Sequence, residues 1–271
     1  MVALRQRTWH RVVHPVRRAV ARVDWLNRRL PWRMWCALGA ADALAVAWVL
    51  AIRSARPLTF VQIGANDGVI HDPIHQVVEA GGWSGVLVEP LPVFYERLVA
   101  NYAGVPNLEF ENAAIGTTDG TATMFSVDSR PGDPYWVELV SSFNREVILS
   151  HSQVLPDVAD RLVEVEVRTT TLGSLVDRHG LATIDLLHVD AEGYDFEILK
   201  QIDFSASWAP TFIIFEMEHF DRQTYRQATH MLRTAGYRCI DIWPDALAYR
   251  HAPTAEHASS SEKKTSQPHD P

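Results

Sequence analysis

Short apolar segments alternate with helical segments over most of the chain, and this pattern constrains the fold more than any other feature. Apolar segments typical of strands occur at 59–63, 85–88, 108–115, 121–127, 184–189, 211–215, 237–242 and 246–250. Helical segments are predicted to begin at Asp72, over 93–101 and over 195–201. Strands that alternate with helices predict an α/β fold in which helices cover both faces of a mainly parallel sheet.

Two turns predict antiparallel pairing beside the parallel strands. An Asp-Gly pair at 119–120 separates 108–115 from 121–127, so these two strands are predicted to pair with each other. A Trp-Pro-Asp turn at 243–245 separates the last two strands and predicts a terminal antiparallel hairpin. Ligands of such sheets bind beyond the carboxyl ends of the parallel strands, so residues at those ends are the site candidates.

The pattern divides the chain into an extension over 1–57, a folded domain over 58–250 and a tail over 251–271. The tail is predicted to be disordered because it has almost nothing to bury. Within the domain, residues 128–168 fit the alternation poorly. An insertion of this size near strand ends is often a lid or a substrate wall, so specificity is expected to lie there.

Charge is distributed unevenly along the chain. Residues 1–33 contain nine arginines and one acidic residue, so with an overall net charge of −8 the remainder carries −16. An acidic body does not attract nucleic acid, and no nucleic-acid partner is predicted. The basic arm is expected to make peripheral contact with an anionic membrane or a partner.

The most apolar stretch, 34–52, is nineteen residues long, which is enough to cross a bilayer. Eight of these residues are Ala or Gly, and Asp42 would cost about 2.5–3.5 kcal/mol on insertion. We therefore expect a helix packed on the domain rather than a span. The two cysteines form no CxxC pair, and a reducing, cytoplasmic location is expected.

The first chemical signal is the loop Gly64-Ala65-Asn66-Asp67-Gly68, directly after the first strand. Its glycines permit a tight turn and a close approach of the backbone to a ligand. Asn66 stands where the second glycine of a dinucleotide fingerprint would be, which argues against a pyrophosphate cradle. Glu89, at the end of the next strand, could accept both hydroxyls of a ribose or could cap the following helix.

Two further strand ends carry polar or small residues. Asn112 and the small residues after it could leave room for a flat ring, or could simply pack a strand against a helix. Asp190 and Glu192 follow the strand 184–189, and Glu216, Glu218 and His219 follow 211–215. These groups could orient a hydroxyl, remove its proton or hold a divalent cation. Capping of a helix by the acids is the alternative explanation.

In this order, the segments resemble the FkbM family of S-adenosylmethionine-dependent methyltransferases. The matching segments are 60–68, 85–90, 112–116, 170–176, 184–199 and 212–216. The resemblance implies a class I methyltransferase fold, which is Rossmann-like with seven mainly parallel strands, helices on both faces and a terminal antiparallel hairpin. The chain departs from the commoner pattern with Gln62 where aspartate is frequent and His188 where lysine is frequent.

The resemblance also implies roles for individual residues. Asp190, Glu192 and His219 are the catalytic candidates, without a ranking, and no protein metal ligand is assigned. The implied cofactor-binding residues are Gln62, Gly64, Asn66, Asp67, Gly68, Glu89, Pro90, Asn112, Ala113 and Ala114. The implied cofactor is S-adenosyl-L-methionine, and Mg²⁺ is compatible with the acids but not required. The expected reaction is O-methylation of a sugar, a glycolipid or a secondary metabolite.

Two other functions remain open at this stage. A nicotinamide-dependent oxidoreductase would share the first loop and Glu89, although Asn66 argues against it. A catalytically silent subunit would keep the fold and bind protein through residues 1–57.

Overall fold

The computed structural model describes residues 56–250 except positions 71, 81, 82, 135 and 243. The predictions for the basic arm, for 34–52 and for the tail therefore lie outside the described residues. Of the helices that the structure does describe, none has the length and apolar character needed to cross a membrane.

The described residues form eleven strands and seven α-helices. The strands are β1 (Thr59–Ile63), β2 (Ser84–Val88), β3 (Leu108–Glu111), β4 (Ala114–Ile115), β5 (Gly120–Val127), β6 (Ser141–Ser142), β7 (Leu162–Thr170), β8 (Leu186–Val189), β9 (Phe212–Glu216), β10 (Arg238–Ile242) and β11 (Asp245–Tyr249). The helices are α1 (His75–Ala80), α2 (Pro92–Asn101), α3 (Trp136–Leu139), α4 (Arg145–Ser150), α5 (Leu172–Arg178), α6 (Asp195–Leu199) and α7 (Arg222–Thr234).

Seven strands form the main sheet in the order β10-β11-β9-β8-β1-β2-β3. The five strands from β9 to β3 are parallel to their neighbours, whereas β11 is antiparallel to both β9 and β10. The predicted mainly parallel sheet and its terminal antiparallel hairpin are thus confirmed. Since β1 and β8 are central, the loops that follow them meet at the middle of one sheet edge.

Each face of the main sheet has its own apolar core. On one face, Val61 and Leu187 pack with Leu175 of α5 and Leu232 of α7. On the other face, Phe60 and Leu186 pack with side chains from α1 and α2, including Leu98. Side chains alternate between the faces of a strand, so Gln62 and His188 lie on the face that α1 and α2 cover.

The second sheet has four strands in the order β4-β7-β5-β6, and it corrects two predictions. The predicted strand 108–115 is divided, because β3 ends at Glu111 in the main sheet and β4 begins at Ala114 in the second sheet. The predicted pairing of 108–115 with 121–127 is wrong, because β7 lies between β4 and β5. The sequence-distant β7 was not predicted, although it pairs with β5 over eight residues.

The segment 128–168 packs around a small apolar core of its own, which includes Val137, Ile148 and Val158. Arg161, which is 3% exposed, donates to the carboxylate of Asp133 and to the carbonyl oxygen of Asp128. These contacts join the beginning of the segment to the residues just before β7. Its role as a lid remains a prediction.

Candidate active site

A cavity of about 360 Å³ opens at the carboxyl ends of β1, β2 and β8. This volume lies within the range of about 300–1,000 Å³ that is usual for small-molecule sites. Its lining contains seven of the predicted cofactor-binding residues, namely Gln62, Gly64, Asn66, Glu89, Pro90, Ala113 and Ala114. It also contains the predicted catalytic residues Asp190 and Glu192.

Glu89 is 4% exposed and is held by the backbone of two loops. Its Oε2 accepts the amide hydrogen of Asn66 at 2.9 Å, and its Oε1 accepts that of Leu91 at 2.8 Å. Burial raises the Glu89 pKa to about 7, against the lowering effect of these two hydrogen bonds. Each carboxylate oxygen retains acceptor capacity for a ligand hydroxyl.

Gly64 has a backbone φ of +76°, and the loop after β8 lies directly against it. A Cβ at this position would lie 1.8 Å from the backbone oxygen of Asp190. The sequence indicated close approach to a ligand, whereas the structure shows close approach to another loop of the same site. Glycine therefore allows the loop after β1 and the acidic loop after β8 to approach each other closely.

Three predicted residues lie outside the cavity lining and support its walls. Asp67 accepts backbone hydrogen bonds from Val69 and Ile70, both at 2.9 Å. A Cβ on Gly68 would meet the side chains of α2 at 2.5 Å. Asn112 donates to the carbonyl oxygen of Glu89 at 2.8 Å and thereby joins the ends of β2 and β3.

The catalytic candidates form an acidic cluster with one imidazole. Nε2 of His219 lies 3.0 Å from Oε2 of Glu192, and this hydrogen bond is the main cause that raises the His219 pKa above its usual range. Glu192 has a backbone φ of +46°, a conformation that is uncommon for a non-glycine residue. His219 is not part of the cavity lining and reaches it through Glu192.

Two carboxyls near this pair, those of Asp190 and Glu216, have strongly raised pKa values. The Asp190 side chain opens onto the cavity, but the protein around it withdraws it from bulk water. This burial and the charge of Glu192 raise its pKa well above the usual range. Burial, followed by the charges of Asp190 and Glu192, raises the Glu216 pKa to about 11.

The family model of the FkbM methyltransferase domain matches residues 62–239, which is well over half of the chain. The chain belongs to the FkbM methyltransferase family. Its main sheet has the strand arrangement expected from the resemblance. No curated protein sequence matches the chain.

Solved structures similar to this FkbM chain share low sequence identity with it. The methyltransferase FkbM from Methylobacillus flagellatus is 12% identical at a TM-score of 0.44, over 71% of this chain and 43% of the other. The chain thus spans less than half the length of that protein. Fibrillarin from Aeropyrum pernix, solved with natively bound S-adenosyl-L-methionine, is 10% identical at a TM-score of 0.39, over 76% and 73% of the two chains.

The second sheet and the segment 128–168 supply the cavity wall opposite the carboxyl ends of β1, β2 and β8. The lining residues from this side are Met124, Trp136, Leu139, Val140, Ser141 and Phe143. The Phe143 ring meets the Tyr194 ring edge-on at 4.8 Å, and the hydroxyl of Ser142 donates to the carbonyl oxygen of Glu192 at 2.7 Å. The sequence analysis expected specificity in 128–168 but did not identify which residues line the cavity, because their position depends on the unpredicted pairing of β5 with β7.

The FkbM cluster also contains a set of atoms that could hold a cation. One ligand atom each from Glu192, Glu216 and His219 lie within 4.8 Å of one another. Two carboxylates and one imidazole suit a divalent cation. The hydrogen bond between Glu192 and His219 also accounts for this arrangement without a cation.

Proposed function

We propose that the protein transfers the methyl group of S-adenosyl-L-methionine to a hydroxyl group of an uncharged acceptor, such as a sugar, a glycolipid or a secondary metabolite. This proposal rests on one observation: two carboxylate sites with different surroundings border the same cavity. Glu89 is held as a hydrogen-bond acceptor at the end of β2, and an acid–imidazole pair lies at the ends of β8 and β9.

The residues of the cavity fit this cofactor. Buried Glu89 offers acceptor capacity to the two ribose hydroxyls, and small Ala113 and Ala114 leave space for a flat base beside β4. The buried Oε1 of Gln62 has no hydrogen-bond partner, which is the state expected of a ligand contact. Asn66 and Gly64 would then border the remaining part of the cofactor.

When bound, this cofactor supplies an electrophilic methyl group. The work of the protein is alignment, because an in-line displacement depends on the position of the acceptor oxygen. Gly64 holds the loop after β8 against the loop after β1, so Asp190 and Glu192 lie next to the cofactor side of the cavity. Trp136 and Phe143 border the same space from the second sheet and would position the acceptor.

An alcohol needs a base, because it becomes a good nucleophile only as its proton leaves. We propose Asp190, Glu192 and His219 as the group that receives this proton. Glu192 bridges the cavity and His219, so a proton accepted from the cavity can pass to the imidazole across a distance of 3.0 Å. The raised pKa of His219 makes it the stronger base of the pair.

The charge of the cavity lining bears on the acceptor. The described lining residues include Asp72, Glu89, Asp190, Glu192 and Glu218, whereas none is Lys or Arg. An acceptor with a phosphate or carboxylate near its reacting hydroxyl would find no positively charged side chain in this lining to pair with. We therefore propose an uncharged hydroxyl-bearing acceptor.

The decisive experiment is a screen with a labelled methyl donor against free sugars, glycolipids, small phenols, alcohols and amines. We expect label transfer to an uncharged acceptor and stabilisation of the protein by S-adenosylhomocysteine but not by NAD. Binding of S-adenosylhomocysteine without turnover across the panel would instead favour the silent partner subunit. Transfer only to amines would refute O-methylation.

A second comparison tests the cation. The activity of protein treated with EDTA should equal that of untreated protein if His219 and Glu192 alone handle the proton. Loss of activity that Mg²⁺ restores would instead assign the Glu192, Glu216 and His219 atoms to a metal site. A metal bound there would lower the pKa of the acceptor hydroxyl.

A further inference from the structure

We propose that His188 is a cofactor-contacting residue and that its Nδ1, together with Oε1 of Gln62, accepts hydrogen bonds from the ammonium group of the cofactor's amino-acid part. This inference rests on the proposed function, because it names the part of the cofactor that one region of the cavity binds. The pair is defined by two buried side chains on the central strands β1 and β8.

Gln62 and His188 are register partners on these adjacent parallel strands. Register partners point to the same face of a sheet from backbones about 4.8 Å apart. Gln62 is 1% exposed and His188 is 3% exposed, and both line the cavity. Two polar side chains on the central strands thus form part of one cavity surface.

Neither Oε1 of Gln62 nor Nδ1 of His188 has a hydrogen-bond partner. Buried polar atoms are almost always paired, so two unpaired atoms on register partners that line one cavity point to a ligand group that contacts both. The two atoms do not pair with each other either. A ligand that donates to both would satisfy them together.

The orientation of the Gln62 amide is determined by Asp72. The Gln62 side chain hydrogen-bonds to the Asp72 carboxylate, which can only accept, so the amide nitrogen faces Asp72. Asp72 also accepts backbone hydrogen bonds from Ile74 and His75. The free atom of Gln62 is therefore its oxygen, and the missing group is a donor.

His188 is uncharged at neutral pH, because burial lowers its pKa to about 4. A neutral imidazole with its proton on Nε2 presents Nδ1 as an acceptor. It does not repel a cation, and the carboxylate of Asp72 behind Gln62 favours one. The side-chain nitrogen and oxygen together therefore suit a positively charged donor with more than one hydrogen.

Among the donors of the cofactor, the ammonium group meets this description best. The ribose hydroxyls are proposed to pair with Glu89 on β2, and the base to lie near Ala113 and Ala114. The ammonium group carries three hydrogens and a positive charge, so it can donate to both atoms at once. His188 would thereby distinguish ligands that have the amino-acid part from ligands that lack it.

The test compares two ligands and two variants of the full-length chain by calorimetry. S-adenosylhomocysteine carries the amino-acid part, whereas 5′-methylthioadenosine shares the nucleoside and the thioether but lacks that part. His188→Leu removes the acceptor. His188→Asn retains one, because Oδ1 of asparagine branches from Cγ as Nδ1 of histidine does.

We expect His188→Leu to weaken S-adenosylhomocysteine binding about tenfold or more, as for a lost hydrogen bond to a charged group. Binding of 5′-methylthioadenosine should change less than about twofold, within the variation of such measurements. His188→Asn should recover most of the affinity. An equal loss for both ligands, or an unchanged affinity for S-adenosylhomocysteine, would overturn the inference.

A measurement on the wild-type chain covers the case in which His188→Leu does not fold. The ¹⁵N resonance of His188 Nδ1 should shift when S-adenosylhomocysteine is added and stay in place with 5′-methylthioadenosine. A shift with both ligands or with neither would overturn the assignment. If wild-type protein failed to bind S-adenosylhomocysteine at all, the proposed function itself would be refuted.

Discussion

Glu89 and Glu216 stand at the ends of two strands of the same sheet, yet their surroundings differ. Both oxygens of Glu89 accept backbone amide hydrogens, and its pKa is raised to about 7. Oε2 of Glu216 is buried without a hydrogen-bond partner, and neighbouring carboxylates add to the effect of burial, so the Glu216 pKa reaches about 11. Burial raises the pKa of both side chains. The difference between the two pKa values comes from their neighbours, which are backbone donors at Glu89 and other carboxyls at Glu216.

The two regions of the cavity therefore suit different roles. At the end of β2, backbone donors hold a carboxylate in place for hydrogen bonds with a ligand. At the ends of β8 and β9, burial and neighbouring acids raise the pKa values of Asp190 and Glu216 close to the imidazole of His219. The first arrangement suits binding, and the second suits proton transfer.

The largest effect is expected where the two regions touch. Gly64→Ala places a Cβ 1.8 Å from the backbone oxygen of Asp190 at a positive φ, so the two loops must separate. We expect a loss of about 3–5 kcal/mol in the free energy of unfolding and loss of binding and activity. Urea denaturation and S-adenosylhomocysteine titration measure both.

Gly173→Ala is the matched control, because a Cβ there has no neighbouring atom within 4 Å and the position is helical. This change should be neutral or should stabilise the fold by up to about 1 kcal/mol. A Gly64→Ala protein as stable and active as Gly173→Ala would contradict the contact between the loops.

The next effect concerns the acidic region alone. His219→Asn should lower kcat about 10²- to 10³-fold with little change in S-adenosylhomocysteine affinity, because it removes a base and no cofactor contact. His230→Asn, on the exposed side of α7, is the control and should leave kcat unchanged. An unchanged kcat in His219→Asn would transfer the role of base to Asp190.

The pH dependence of kcat also tests the assignment of His219 as the base. A base must be unprotonated, and the hydrogen bond that His219 donates to Glu192 raises the His219 pKa, so wild-type kcat should fall as the pH drops through a value above 6.5. Glu192→Gln removes the charge that raises this pKa. Its midpoint should therefore lie at lower pH, and identical midpoints in stopped-time assays would disprove the coupling.

A smaller effect is expected in the binding region. In Glu89→Gln, an amide nitrogen faces one of the backbone donors, Asn66 or Leu91, and a ligand acceptor is lost. We expect about 10- to 100-fold weaker binding of S-adenosylhomocysteine, from a lost hydrogen bond to a charged group. Isothermal titration calorimetry measures it.

Glu111→Gln is the control at the end of the adjacent strand. Glu111 pairs with Arg168, Arg178 and His179 and does not line the cavity. The change should lower the melting temperature without altering affinity. Equal losses of affinity in the two variants would show that Glu89 acts only through the fold.

The smallest effect is a change in the pH dependence of stability. Asp195, which is fully buried, has a pKa raised to about 7 by burial, so the folded state binds a proton that the unfolded state releases near pH 4. Its contribution to stability is thus complete below about pH 4 and is lost as the pH rises towards 7. The stability of Asp195→Asn should decline less steeply than that of the wild type between pH 4 and 7, by at most about 1.4 kcal/mol per pH unit. Parallel slopes in urea denaturation would contradict this assignment.

Much of the main sheet could be predicted because its signals are local. The strand β1 has the predicted bounds 59–63, and β2, β8 and β9 differ from the predicted segments by one or two residues. Buried parallel strands are short apolar runs, and the helices between them begin and end at recognisable residues. The same strand ends directed attention to Glu89, Asp190 and Glu192, all of which line the cavity.

The second sheet could not be predicted in this way. β7 begins thirty-five residues after β5 ends, and nothing local in either strand specifies the other as its partner. The interruption between β3 and β4 also has no local signal in the sequence, because Ala114 and Ile115 continue the apolar pattern of β3. The cavity wall that contains Phe143 depends on both features.

The sequence by itself therefore determined the class of fold, the order of its central elements and the strand ends that carry chemistry, because periodicity and turn residues act over a few positions. Only the tertiary structure decided which of these residues meet. It placed Gly64 against the backbone of Asp190, His188 beside Gln62 and Glu192 against His219. Such contacts join residues far apart in the chain, and packing selects them through the register and order of strands.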